Sequence, residues 1–121
     1  MTYFGDVKEF HCMFHKPPEV IVFPLSAEAW ARRVRLITEE LAETFEAYAL
    51  GDVEKFADGL ADLAWVVIGT AVEAGIPFDA VWAEVRKANM AKRGGRLDAS
   101  GKLHKPEGWV PPDIKRALGR R

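Results

Sequence analysis

Residues 38–75 read TEELAETFEAYALGDVEKFADGLADLAWVVIGTAVEAG, and their punctuation divides them between two helices of different character. The first reaches back to Ser26. In it Trp30, Val34, Ile37, Leu41, Phe45 and Tyr48 recur at steps of three and four, the spacing of one helix face. Ser26 suits the N-cap, Glu28 places an anion in the first turn, and Gly51 ends the helix. Asp52 restarts the chain as the next N-cap. Val53, Phe56, Leu60, Leu63 and Val67 form a second stripe, but from Leu63 to Ile68 every residue is apolar. A helix apolar on every side must be covered on every side.

Outward from this pair the signals are shorter. Toward the N-terminus, Val7, Phe10 and Phe14 share a helical face, Asp6 is the candidate cap, and Pro17 and Pro18 end the element. Toward the C-terminus, Gly75 stops the apolar helix, and Pro77 suits the first turn of a fourth carrying Val81, Trp82 and Val85 inward. Gly94 and Gly95 end it, leaving a turn-rich tail with a short helix from Asp113. No strand period is present, which predicts an all-α fold. A few helices from one chain hardly cover the apolar segment, so a homo-oligomer is expected, a dimer in the simplest case and a tetramer otherwise. Trp30, Trp65 and Trp82 are expected in the core or at that interface.

A length of 121 residues fits one domain, with a helical body over about 5–92 and an irregular tail over about 93–121. Cys12 is the single cysteine, which excludes an internal disulfide or a paired-thiol zinc site and suits a reducing, cytoplasmic setting. No secretion signal is read at the N-terminus. The most apolar stretch, Leu63 to Val72, is half the length of a membrane span, which argues against membrane partners. Net charge is −1 overall, yet residues 1–91 carry −7 and residues 92–121 carry +6. A basic tail on an acidic body fits either a nucleic-acid arm or a cover for an anionic ligand.

Acidic residues decide between these. Glu39, Glu43 and Glu46 share a face of the first long helix, with Glu40 beside Glu43. A solvated acidic surface is the plain alternative for such a run. Against it, Asp58 and Asp62 stand four apart on the next helix, beyond any capping role, and Asp62 directly precedes the apolar segment. If the two helices pack antiparallel across Gly51, both carboxylate sets meet. Clustered anions repel unless a cation sits among them, and a hard divalent ion, magnesium first and manganese second, is the natural occupant.

EELAE (Glu39, Glu40, Glu43) followed by a helix bearing Asp62 resembles the MazG-like superfamily of all-α nucleotide pyrophosphohydrolases. That superfamily includes MazG proteins, phosphoribosyl-ATP pyrophosphohydrolases and the dimeric all-α dUTPases, and its signature is EExxE, then ExxD on the following helix. The first half is present unchanged. In the second, Asp62 matches, but Gly59 stands where an acid is expected, and Asp58 is the candidate substitute. FGDVKEFHCMFH (Phe4 to His15) is similar to the first helix of the phosphoribosyl-ATP pyrophosphohydrolase-like subgroup. VRKANMAK (Val85 to Lys92) and GKLHKPEGWVPPDI (Gly101 to Ile114) are similar to its C-terminal part.

The resemblance implies a four-helix MazG-like bundle completed by oligomerisation, and magnesium-dependent cleavage of a nucleoside triphosphate to monophosphate and pyrophosphate. It implies Glu39, Glu40, Glu43 and Asp62 as metal ligands with Asp58 a further candidate, and Glu40 or Glu43 as the group that activates water. Lys92 and Lys105 are expected on the leaving pyrophosphate, Asn89 on a sugar hydroxyl or base edge, and His11, Phe14 and Trp109 on the base. A deoxy or non-canonical nucleotide of the dUTP kind is the preferred substrate, with phosphoribosyl-ATP of histidine biosynthesis the runner-up. The rival of another class is a non-enzymatic helical dimer whose basic tail binds protein or nucleic acid. The tail has no recognition helix or aromatic–basic alternation, so nucleic acid is the weaker partner.

Overall fold

Local capping signals fix the helices of the computed structural model, which describes residues 1–120. Helix α1 spans Tyr3–Cys12, α2 Ala27–Ala49, α3 Val53–Glu73 and α4 Phe78–Met90, with a single turn, α5, at Ile114–Ala117. Ser26 caps α2 by accepting from Ala29 N–H, and Asp52 caps α3 by accepting from Lys55 N–H. Between them Gly51 turns the chain at a φ of 70°, a conformation other residues adopt at a cost. At α1 the expectation fails by one turn. Thr2, not Asp6, is the cap; its backbone is extended and its hydroxyl accepts from Gly5 N–H, leaving Asp6 in the first turn. The fold is all-α, as expected, and among the described residues no helix is long and apolar enough to cross a membrane.

The chain divides into two units, Met1–Ile76 and the remainder from Pro77. In the first, α2 and α3 form an antiparallel pair and α1 lies against α3. The faces they turn to each other are not the large apolar stripes. Helix α2 buries Arg33, Thr44 and Ala47, and α3 buries Gly59, Ile68, Gly69, Ala71 and Val72. Trp30 is 53% exposed and Tyr48 74%, with Phe45 exposed between them. Periodicity finds a stripe without naming its partner, and within this chain the neighbouring stripe of small and polar residues makes the contact.

The α2–α3 seam is polar near its α3 C-terminal end. Arg33, with only 6% of its side chain exposed, donates from Nη2 to the Val66 carbonyl at 2.7 Å and from Nε to Thr70 Oγ1 at 3.1 Å. Its Nη1 lies 3.7 Å from Glu73 Oε1, which Arg32 also approaches. Gly69 makes room for this: a Cβ there would stand 2.6 Å from Arg33 Nη2 and 3.0 Å from His11 Nε2. His11 is buried beside the guanidinium, and with Val7, 1% exposed, it fixes α1 on the pair. Removing one partner of such a buried pair typically costs about 3–5 kcal/mol.

In the second unit, α4 exposes Trp82 (59%), contrary to the inward position expected for it. The tail is more ordered than its prolines and glycines suggest. Arg96–Leu97 (β1) and Leu103–His104 (β2) pair as an antiparallel hairpin, correcting the expectation of no strands. Asp98 organises its loop, accepting from Ser100, from Lys102 N–H and from His104 Nε2 at 2.9 Å. His104 thus has a partner that spacing alone did not suggest. Asp113 caps α5, close to the expected start, and the helix is tied to α4 by an Arg116–Glu84 ion pair.

Burial and the nearby Arg33 hold the His11 pKa below its ordinary 6.5. As pH falls the unfolded chain takes up this proton first, so the stability His11 contributes is complete above pH 6.5 and lost below it. Urea unfolding from pH 7.5 to 5 should show wild type losing more stability than His11→Gln; parallel curves would remove His11 as the cause.

Candidate active site

Helix α2 places its glutamates around the seam in an order the run of letters does not give. Arg33, Ile37, Glu40, Thr44 and Ala47 descend the seam at alternating steps of four and three, with Arg33, Thr44 and Ala47 buried and Ile37 and Glu40 half-buried. Glu40 is therefore the inward carboxylate, with Glu39 and Glu43 exposed on either side of it. From α3, Asp58 and Asp62 are exposed, so Asp62 carries none of the burial cost that its place before the apolar segment suggested.

Thr44 is the residue that sequence reasoning passed over. Its hydroxyl donates to the Glu40 carbonyl at 2.7 Å, which turns the side chain back along its own helix. It is 2% exposed because α3 runs directly over it at Gly59. A Cβ on Gly59 would stand 2.5 Å from Thr44 Oγ1 and 3.2 Å from Thr44 Cα, the second being backbone that cannot swing away. This fits the glycine where the family signature carries an acid: in this register a side chain there would meet the Thr44 hydroxyl and crowd its backbone. Asp58, one residue earlier, and Asp62, three later, flank the crossing from α3, as Glu40 and Glu43 do from α2. The signal was present in the pairing of a small residue on each helix, but only the register of α2 on α3 reveals it.

Charge converges on Glu40. Its pKa is raised, first by burial and then by repulsion from Glu43, Asp62, Asp58 and Glu39. Its Oε2 is buried with no hydrogen-bond partner. Among the described residues none of these five carboxylates has an ion pair with a lysine, arginine or histidine. Nor are any three acidic, imidazole or thiol groups already drawn together at ligating distance. Mutually repelling carboxylates on two helices, all oxygen donors and one of them orphaned, fit a hard divalent cation such as magnesium or manganese.

The expected substrate-binding residues fall in both units. In the first, His11 is buried, its ring spent on packing against Arg33 and Gly69. Phe14 is exposed and meets Phe10 edge-on at 5.3 Å. In the second, Asn89 is exposed on the last turn of α4. Trp109 donates its indole N–H to the Ala88 carbonyl at 2.7 Å, and the ammonium groups of Lys92 and Lys105 lie over its ring. Lys92, Lys105 and Trp109 are thus brought together.

An all-α chain with EExxE on one helix and an aspartate pair across a tight crossing on the next is built like a nucleotide pyrophosphohydrolase of the MazG-like superfamily. The family model for phosphoribosyl-ATP pyrophosphohydrolase matches residues 7–89, more than half the chain, and the protein belongs to that family. It is a hydrolase acting on phosphoric anhydride bonds, which removes the non-enzymatic reading. No curated protein matches at a significant level.

Two substitutions test the crossing and the charge cluster separately. Gly59→Ala should cost about 1–3 kcal/mol in urea unfolding through overpacking against Thr44, and Thr44→Ala in that background should recover part of the loss, because it removes the hydroxyl that stands 2.5 Å from the added methyl but not the Cα at 3.2 Å. Glu40→Gln should raise the thermal midpoint in the presence of a chelator, since it removes one charge from a cluster of five; a lower midpoint would mean that Glu40 has a compensating partner.

Proposed function

We propose that the protein hydrolyses a nucleoside triphosphate between its α- and β-phosphates, releasing monophosphate and pyrophosphate, with a magnesium ion at the carboxylates of α2 and α3; manganese would suit the same oxygens. The observation that carries this is the buried, unpartnered Oε2 of Glu40 at the centre of four further carboxylates with no basic partner. Glu39, Glu40, Glu43 and Asp62 are the ligands of choice, and Asp58 is the candidate for the oxygen missing at position 59. When bound, the ion would neutralise phosphate charge and acidify a coordinated water. Glu40, inward and with its pKa raised, is the proposed acceptor of the attacking water's proton, with Glu43 the alternative.

The substrate is proposed to be a deoxy or non-canonical nucleotide of the dUTP kind. The second reading, phosphoribosyl-ATP, is favoured by the family match over residues 7–89 and involves the same bond cleavage. Among base contacts, Phe14 is the exposed aromatic in the first unit and Asn89 the exposed amide in the second. The active form is proposed to be a homodimer, or a tetramer built from it. Support comes from the outward stripe of α2, where Trp30, Val34, Leu41, Phe45 and Tyr48 stay exposed along one face. An apolar face of that length is costly in water and self-complementary about a two-fold axis.

Pyrophosphate and orthophosphate release across a nucleoside triphosphate panel, with phosphoribosyl-ATP included, separates the two substrates. Pyrophosphate alone is expected, lost on chelation. Magnesium should raise the thermal midpoint of wild type, and both Glu43→Gln and Asp62→Asn should abolish that rise and lower turnover by about a hundredfold or more. Orthophosphate release, or an unchanged magnesium shift in both variants, would overturn the assignment.

A further inference from the structure

Glu40 and Glu43 stand four residues and one residue before Thr44 on α2, and Asp58 and Asp62 stand one before and three after Gly59 on α3. At about 1.5 Å of rise per residue, each of these carboxylates lies roughly within one helical turn of the crossing. The two sets differ in reach. A glutamate has two methylene groups between backbone and carboxylate, so a change of rotamer lets it follow a displaced ion. An aspartate has one and goes where its backbone goes. The oxygens that α3 can bring to a shared ion therefore depend on how closely α3 stands to α2.

That separation is set at one contact. A Cβ on Gly59 would stand 2.5 Å from Thr44 Oγ1, 3.2 Å from its Cα and 3.3 Å from its Cβ, so a single methyl group would force the helices apart. Thr44 has nowhere to turn. It is 2% exposed, and its hydroxyl is held on the Glu40 carbonyl at 2.7 Å, which also removes it as a ligand. Position 59 adds no oxygen of its own. Magnesium forms bonds of about 2.0–2.1 Å to few protein oxygens and keeps several waters, whereas calcium takes about six to eight oxygens at about 2.3–2.6 Å in a flexible shell. A narrow, rigid gap with few carboxylates suits the smaller ion.

We propose that the Gly59–Thr44 crossing selects the ion by size, holding α2 and α3 at a separation that favours magnesium over calcium. Gly59 and Thr44 are positioning residues: neither touches the ion, and both act through the carboxylates one turn away. This inference rests on the metal reading above.

The test is calorimetric titration of magnesium and of calcium into the metal-free full chain. Wild type should bind magnesium more tightly than calcium. Gly59→Ala should move the ratio of the two dissociation constants toward calcium by about fivefold or more. Adding Thr44→Ala removes the hydroxyl clash and leaves the Cα at 3.2 Å, so the double variant should lie between the two. It decides the matter should the single variant fail to fold by circular dichroism. Gly69→Ala is the control. It crowds Arg33 on the same seam, about 15 Å further along α3, and should lower stability without moving the ratio. A wild type that favours calcium would overturn the inference, as would an unmoved ratio in whichever Gly59 variant folds, or an equal change in Gly69→Ala. Glu43→Gln and Asp62→Asn separate this from the metal reading. Binding that needs those carboxylates, with a ratio indifferent to Gly59, sinks size selection alone. Wild type that binds neither ion, or binding indifferent to both carboxylates, sinks the metal reading and the inference with it.

Discussion

Where Gly59 passes over Thr44, α2 and α3 approach so closely that one added methyl group would meet both the hydroxyl and the backbone beneath it. Much else in the first unit follows from this contact. Backbones this near put side chains one turn away on each helix within electrostatic reach, which is why four carboxylates converge on Glu40. The same closeness removes the position at which a sixth would stand. A glycine in mid-helix costs stability relative to alanine. Here the cost is offset by the crossing it permits, and the acidic cluster inherits its geometry from a residue with no side chain.

The seam on either side of the crossing contains two opposite solutions to buried charge. Near the α3 C-terminal end, Arg33 is buried with a carbonyl, a hydroxyl and Glu73 all supplied by α3, so its charge is answered inside the protein. Nearer the crossing, Glu40 is partly buried with an oxygen unanswered, and every neighbour that moves its pKa besides burial is another acid. One chain using both solutions a few turns apart argues that the second is not a failure of packing. An orphaned oxygen alone does not separate the two ends, since Glu73 Oε2 is also buried without a hydrogen-bond partner; Glu73 has two guanidinium groups beside it, whereas Glu40 has only acids.

Sequence reading captured what local chemistry determines. Ser26, Asp52 and Gly51 act within one turn of the chain, so their capping and turning roles follow from residue type alone. The EExxE run and Asp62 were likewise visible as letters. What escaped depends on which surface meets which. The large apolar stripe of α2 is its more hydrophobic face, yet α3 takes the stripe containing Arg33, Thr44 and Ala47. Glu40 could not be singled out from Glu39 and Glu43 without that register. The hairpin escaped because strands of two residues are shorter than any alternation can register, and it is held by Asp98, whose four hydrogen bonds depend on the turn it makes.

The distribution of charge has a chemical logic of its own. The first unit carries a net −7 and the second +6, and each holds one local concentration of its excess charge. Acid gathers at the α2–α3 crossing, and base gathers between Lys92 and Lys105. A triphosphate carries more negative charge than one divalent ion can neutralise, so a chain that handles it needs fixed cations as well as carboxylates to hold the metal. Carboxylates alone would repel the substrate, and lysines alone would bind it without activating water. A net charge near zero thus conceals two strong and opposite fields, each confined to its own unit.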